Sequence, residues 1–410
     1  MTENIPNQFL TPICGNNFSG RTNYLKSMIK NNSNNVNKPN FIYIGEQPSN
    51  FISGIFPTVR NEFDLHSLSA GKDVLDVVKG LFTIYGFENH LDKNPFILSG
   101  GEQTILVVLC SLLLHPDSLA IDTTIEQLNA EWRLPLFEAI QQGGFLDTKV
   151  FLADNRLKEY QLNDLAMPTI KFEQTSHKYI FEEPILRRHI PSKDMSHSIE
   201  LIDLTFAYSI GKKILDKVNV LLEPQNIYHL GGKNGAGKTT LAKLLTGILK
   251  LKSGKIKVDD KAYNAFKFPG NLVGYSFQNP DEQIFSSTVE NEVLIHLKRE
   301  PSEYTERREI YIEMFGLKSV RNCHPAELPF VMRKRISLAA TLAMDRPWYI
   351  LDEPTLGQDE SFVEFLIALL NDLAENGKGV IVISHSKSFT EKLRGKYLTL
   401  TAGQVNNTNK

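Results

Sequence analysis

The chain of 410 residues is poor in cysteine and tryptophan, has no long apolar run, and carries almost no net charge. Its three cysteines, Cys14, Cys110 and Cys323, are odd in number, far apart, and form no C-x-x-C pair. That excludes a disulfide framework or a cysteine-based zinc or iron–sulfur centre as the organising feature, and it fits a reducing cytosol. A formal net charge of -2 argues against a dedicated nucleic-acid binder, which would be clearly basic. The start, MTENIPNQFL, lacks the basic and apolar regions of a signal peptide. The longest apolar run, residues 105–114, is about half of what a bilayer span requires. Any membrane role is therefore expected to be peripheral. Present instead are 41% apolar and 22% charged residues, as in a soluble globular protein, and enough length for two domains with their own cores.

The chain repeats itself. "CGNNFSGRT" (14–22) has the outline of a phosphate-binding loop from Gly15 through Gly20 to Thr22, and "GGKNGAGKTT" (231–240) is its complete form. The second loop follows an apolar stretch and precedes "LAKLLTGIL", with apolar residues at helical spacing, which is the strand–loop–helix context the motif requires. "TVRNEF" (58–63) resembles "TVENEV" (288–293). "SLAID" ends at Asp122 and "WYILD" at Asp352, each an apolar strand closed by an aspartate. Upstream, "LSGGEQ" begins at Leu98 and "LPFVMR" at Leu328, and both stand 24 residues before their aspartate. Two homologous halves follow. The expected boundaries are a first domain over 1–167, a proline-bearing linker over 168–197, and a second domain over 198–410. The first half is the shorter, since Arg21 and Gln47 lie closer together than Lys238 and Gln278, so it is expected to lack a hairpin after its loop.

The second half carries the chemistry. Backbone N–H groups of residues 232–238, with Gly232, Asn234, Gly235 and Gly237 among them, would wrap a polyphosphate at a helix N-terminus. Lys238 would reach the β- and γ-phosphates, and the Thr239 hydroxyl, followed by Thr240, would hold Mg2+. Asp352 is placed for the metal's outer shell, and Glu353 beside it can orient and deprotonate the attacking water. His385, after the strand-like "GVIVI", can contact the γ-phosphate and the water. Gln278 in "SFQNPDEQ" can sense metal and water, and Tyr208 in "LTFAYS" can stack on adenine. Any one of these residues alone has a bland structural explanation; their order and spacing together do not.

This constellation resembles the ATP-binding-cassette (ABC) transporter ATPases, twice over nearly the whole chain. The resemblance implies an α/β fold of two P-loop NTPase domains, each a parallel-sheet core with a helical signature subdomain, the first truncated and degenerate. It implies ATP and Mg2+ as ligands. It also implies that each ATP lies between one domain's phosphate loop and the other domain's L-S-G-G-[E/Q] signature.

In the second half that signature is damaged. Pro329 has no N–H to offer, and Phe330 and Val331 have side chains where only hydrogen would fit. The first half keeps Ser99, Gly100 and Gly101, but its own phosphate site is degraded. Arg21 replaces the lysine, Thr123 replaces the base, Asp154 stands near the histidine position, and Asn129 stands where the second half has Asp359. The intact parts cross-match, so a single-chain pseudodimer hydrolysing ATP at one composite site is expected. Trace nucleotide binding at the Arg21 loop is left open.

"FQNPDEQIFSSTVENEV" (277–293) is similar to the ATPases of energy-coupling-factor and cobalt-type importers. By that resemblance Pro280, Asp281, Glu282 and Gln283 would face a multi-span membrane subunit, with residues 47–56 as the first half's counterpart. A place on the cytoplasmic face of the cell membrane follows, with import of a vitamin or metal ion. An exporter ATPase, or a soluble tandem ATPase acting on ribosomes or DNA, stays open as an alternative.

Overall fold

The computed structural model describes residues 10–14, 21–32, 41–45, 47–68, 72–122, 125, 128, 130–141, 148–153, 170–171, 182–186, 196–208, 213–233, 235–295 and 303–408. The chain divides into two compact units, Met1–His177 and Lys178–Lys410.

In the first unit the strands are Leu10–Cys14 (β1), Phe41–Ile44 (β2), Ser118–Asp122 (β3), Lys149–Ala153 (β4) and Ile170–Lys171 (β5). They form one parallel sheet in the order β2-β3-β4-β1-β5. β3 and β4 read as continuous apolar runs because a parallel sheet is covered on both faces, and four of the five residues in each are buried. The helices are Arg21–Asn32 (α1), Val59–Ser67 (α2), Lys72–Ile84 (α3), Gly100–Leu113 (α4) and Ala130–Gln141 (α5). α4 is apolar on nearly all sides and is buried from Thr104 to Leu113, which makes it the helical centre of the unit's core.

In the second unit the strands are Ile199–Phe206 (β6), Leu215–Leu222 (β7), Ile227–Gly231 (β8), Ser253–Val258 (β9), Lys261–Tyr263 (β10), Val273–Ser276 (β11), Trp348–Asp352 (β12), Gly379–Ile383 (β13), Gly395–Thr401 (β14) and Gln404–Thr408 (β15). The central sheet runs β11-β12-β13-β8-β14-β15, parallel except for the β14–β15 hairpin. Matched one for one, β2, β3, β4, β1 and β5 of the first unit become β11, β12, β13, β8 and β14. Register matches as well: Asp122 pairs with Ala153 and Asp352 with Ile383, each pair at the carboxyl ends of its strands. The two parallel sheets thus share one strand order.

Local details repeat too. Thr58 and Thr288 are N-caps in extended conformation, each accepting from the backbone N–H three residues on. Val59 and Val289 donate to the carbonyls of Lys93 and Cys323, each 34 residues ahead. Glu62 is buried and accepts from the Ser53 amide and hydroxyl, whereas buried Glu292 accepts from the amides of Phe285 and Ser286.

The second unit also carries an antiparallel sheet, β10-β9-β6-β7, with no counterpart among the described residues of the first. Its helices are Lys238–Leu245 (α6), Val289–Leu294 (α7), Glu303–Met314 (α8), Phe330–Ala343 (α9), Glu360–Glu375 (α10) and Lys387–Lys392 (α11). The β9–β10 hairpin lies between α6 and β11, whereas in the first unit eight residues, 33–40, separate α1 from β2. Residues 182–186, within the span read as linker, pack on the second unit: the Ile185 amide donates to Met314 O at 3.0 Å, and Glu183 accepts from Ser361. Among the described residues no helix is long and apolar enough to cross a membrane.

Candidate functional site

In an open parallel sheet, ligands bind outside the carboxyl ends of the strands, and the sequence-predicted residues of the second unit gather there. β8 ends at Gly231 and the loop turns into α6. Gly232 has φ 142°, and a Cβ there would lie 2.5 Å from the Leu400 carbonyl oxygen. Gly237, the N-cap of α6, has φ 106°, and its Cβ would stand 2.8 Å from Ile214. Both positions need glycine on conformation and on space. Gly235 lies on the same loop with φ 75°, and Asn234 falls outside the described residues. Lys238 folds back so that Nζ donates to the carbonyls of Gly232 (2.7 Å) and Lys233 (3.2 Å). Burial pushes its pKa down, opposed by the carboxylates of Glu353 and Asp352. A phosphate would give this ammonium a charged acceptor in place of two neutral ones.

The next two residues point to different neighbours. Thr239 Oγ1 donates to Asp352 Oδ2 at 3.2 Å, and Thr240 Oγ1 lies 3.2 Å from the Tyr208 hydroxyl. Tyr208 itself is 59% exposed, with its ring edge-on to Phe206, so its face is open to a planar ligand.

Asp352 closes β12 and is almost fully buried. Burial pushes its carboxyl up to about 6, helped by the neighbouring Glu353 charge and opposed by Lys334 and by hydrogen bonds from Tyr275 and Thr239. The Tyr275 hydroxyl donates to Oδ2 at 3.1 Å. Glu353 sits at φ 44°, a left-handed conformation uncommon outside glycine and found at functional sites. It is held there from β13: its amide donates to Ile383 O, and its carboxylate accepts from the His385 amide (2.8 Å) and the Ser384 hydroxyl (3.2 Å). The His385 ring nitrogen Nε2 is 3.8 Å from the same carboxylate. Gln278 follows β11, and its carbonyl accepts from Lys334 Nζ, which also donates to Asp352 O.

Thr239 and Asp352 offer a hydroxyl and a carboxylate, the oxygen ligands that Mg2+ takes. Among the described residues no group of three His, Cys, Asp or Glu side chains is arranged for a metal. An ion here would therefore rely on phosphate oxygens and water, which is the habit of Mg2+ beside a nucleotide. These residues fit Mg2+ as a companion of ATP.

The first unit keeps part of this frame. Thr22 Oγ1 donates to Asp122 Oδ2 at 2.6 Å and the Tyr43 hydroxyl to the same oxygen at 2.9 Å. Burial again raises the Asp122 pKa, opposed by those two bonds and by the charges of Arg21 and Lys26. Thr123, Asn129, Asp154 and the loop from Gly15 to Gly20 lie outside the described residues.

The signature segments differ as their sequences predict. Ser99 is the N-cap of α4, whose first helical residues are Gly100 and Gly101, and it closes a capping box with Glu102. Its amide and hydroxyl both donate to Glu102 Oε2, at 2.7 and 2.8 Å, while His90 Nδ1 lies 3.3 Å from the other oxygen. Pro329 begins α9 with no side-chain cap, and the buried side chains of Phe330 and Val331 follow.

One expectation about the loop after Gln278 is corrected. Pro280 is buried, and Gln283 turns inward, its amide bonding Ser337 O and Thr341 Oγ1. Asp281, Glu282, Phe285 and Ser287 are exposed, Phe285 at 71%. In the first unit Phe51, Ile55, Phe96 and Ile97 are exposed, and Phe96 lies beside Gly54. Sequence reasoning missed Tyr43, Tyr275, Ser384 and Lys334. The tyrosines had a signal, since each lies shortly before the paired glutamines Gln47 and Gln278.

The family described as ABC transporter matches residues 215–356. A putative ABC transporter ATP-binding protein of Methanosarcina mazei is 32% identical over 406 residues, covering 82% of this chain and 69% of that protein. That is more of the chain than either unit holds. The energy-coupling factor transporter ATP-binding protein EcfA1 of Thermotoga maritima is 34% identical over 198 residues, 48% of this chain and 75% of that protein. Among solved structures the chain is similar to cbiO1 of Clostridium perfringens, described as part of the ABC transporter complex cbiONQ. The identity is 26% and the TM-score 0.45, over 52% of this chain and 87% of the other.

Proposed function

The chain belongs to the ABC transporter family as one of its ATP-binding proteins, and on that premise we propose that it hydrolyses ATP at one composite site to drive a membrane partner. The observation that carries this reading is the split of intact parts between the units. Lys238, Thr239, Asp352, Glu353 and His385 gather at one sheet end of the second unit. That unit's own signature has Pro329 in place of a hydroxyl-bearing cap, whereas Ser99, Gly100 and Gly101 open α4 in the first unit.

In this reading Tyr208 takes the adenine and the amides of the 232–238 loop wrap the phosphates. Lys238 leaves the Gly232 and Lys233 carbonyls for the β- and γ-phosphates. Thr239 and Asp352 would hold Mg2+, with Gln278 sensing it, and the ion would supply neutralisation of phosphate charge during transfer. Glu353, fixed by Ser384 and the His385 amide, orients water and accepts its proton. His385 donates to the γ-phosphate. Ser99 must leave Glu102 to give its hydroxyl to that phosphate, and the amides of Gly100 and Gly101 complete the contact. The first unit's own site does not hydrolyse ATP, because Thr123 cannot act as a base at neutral pH.

The partner is a multi-span membrane subunit, met by the outward residues Asp281, Glu282 and Phe285 and by the apolar Phe51 and Ile55. Energy-coupling-factor-type import of a vitamin or metal ion is the reading favoured by the likeness to EcfA1. The protein would then work at the cytoplasmic face of the membrane.

Phosphate release by the full chain tests the site. Ser99→Arg is expected to abolish it, and wild-type turnover in that variant would overturn the crossed pairing. Affinity purification from gently solubilised membranes tests the partner. Multi-span proteins are expected, and recovery of ribosomes or DNA in their place would refute the transport reading.

A further inference from the structure

Charged side chains are almost never fully buried unless paired, yet Lys334, in the second turn of α9, has no exposed surface. Its ammonium has three donors, and all three are used. Nζ donates to Phe277 O (2.5 Å), Gln278 O (3.1 Å) and Asp352 O (2.8 Å). Two of these carbonyls belong to the loop after β11 and one to the end of β12. One side chain thus joins α9, the helix behind the damaged signature, to both segments that face the nucleotide. Burial pushes the Lys334 ammonium down to about 8, opposed by the side-chain charges of Asp352 and Glu353 nearby.

The matching position of the first unit carries no lysine. Lys334 lies six residues past Leu328, and six past Leu98 is Thr104, whose hydroxyl donates to Gly100 O within its own helix. The tie lies where β12 ends in Asp352 and Glu353 follows, whereas the first unit's sequence has Thr123 in the glutamate's place. A separate clamp holds the far end of the same loop: Gln283 bonds Phe277 N, Ser337 and Thr341. Arg333 pairs with Asp281 on the outer face. Loss of Lys334 would therefore loosen the near end of the loop without detaching it.

We infer that Lys334 is a positioning residue for hydrolysis, holding the Gln278 end of the loop and the Asp352 strand end in fixed register. The inference rests on the reading of Asp352, Glu353 and Gln278 as the hydrolytic groups. Small misplacements at a reacting centre cost about 100-fold in rate.

The test compares the full chain with Lys334→Met, which keeps the length and removes the donors, and with Lys334→Gln, which keeps two of them. In Lys334→Met, kcat should fall about 10- to 100-fold while KM for ATP stays within about twofold, and Lys334→Gln should recover part of the loss. Hydrogen exchange on the nucleotide-free protein gives a readout without turnover. The Gln278 and Asn279 amides should exchange faster in Lys334→Met, with α9 and β12 unchanged. Wild-type kcat in Lys334→Met would overturn the inference. So would exchange that is unchanged at the loop, or raised throughout the unit, since the latter marks a merely structural lysine. Retained turnover in Glu353→Gln would instead sink the hydrolytic reading, and the exchange result would still stand by itself.

Discussion

Replacing Asp352 by asparagine should stabilise the nucleotide-free protein while removing its activity. Burial and the Glu353 charge push this carboxyl from 3.8 to about 6. At about 1.4 kcal/mol per pH unit, the folded state then carries a cost of about 3 kcal/mol for the ionised aspartate. The sign follows from proton uptake. Below pH 4 the side chain is protonated in both states and the cost is absent. Between pH 4 and 6 the unfolded chain ionises first, so stability is lost as pH rises, and above pH 6 the whole cost is present. Asparagine is neutral throughout, and its carbonyl can still accept from Tyr275 and Thr239. Lys334 bonds the main-chain oxygen of this residue, which the substitution keeps. Urea unfolding in EDTA without nucleotide should show Asp352→Asn more stable by up to about 3 kcal/mol at pH 8 and by roughly half that at pH 5. With Mg2+ and ATP the order should reverse, because ligand binding stabilises only the protein that binds it. A variant less stable than wild type at pH 8 without nucleotide, or a gap that narrows as pH rises, would refute the reasoning.

Glu353→Gln should keep equilibrium ATP binding and lower phosphate release by at least about 100-fold, the usual contribution of a general base. Thr22→Val removes the 2.6 Å bond to Asp122; denaturation should show a loss of about 1–3 kcal/mol in the first unit, with turnover per folded molecule unchanged. Gly237→Ala places a methyl group 2.8 Å from Ile214 at φ 106°, so binding of a fluorescent ATP analogue should be lost, along with about 1–3 kcal/mol of stability.

What could be read from sequence was whatever depends on order along the chain. Asp122 and Asp352 each close an apolar strand, and each stands the same distance from its leucine, Leu98 or Leu328. The cost of a proline and two bulky residues in "LPFVM" was equally legible, because it follows from missing N–H groups and added volume. Contacts that depend on which strands become neighbours were not legible. Tyr275 reaches Asp352 only because β11 lies beside β12, and nothing in "VGYS" announces that partner. Lys334 was hidden for a different reason. A lysine after Arg333 in a helix reads as a solvated face, and only the closing of the loop over α9 turns it inward. The inward turn of Gln283 misled in the same way: a polar residue in an acidic loop looks exposed until Ser337 and Thr341 are placed beneath it.

The paired glutamates Glu62 and Glu292 bear on how such a chain diverges. Both are buried, and both are occupied in holding backbone N–H groups of the preceding loop. Between the two units the glutamate beside the strand aspartate and the loop lysine have changed, yet these two carboxylates have not. On the proposed reading, a copy relieved of turnover drifts at positions whose only duty was to the reaction, and is held still wherever a substitution would strand a polar group in the dark of the fold. The first unit would then serve as a natural control for the second: what the two share is the upkeep of the scaffold, and what they do not share is the work done on it.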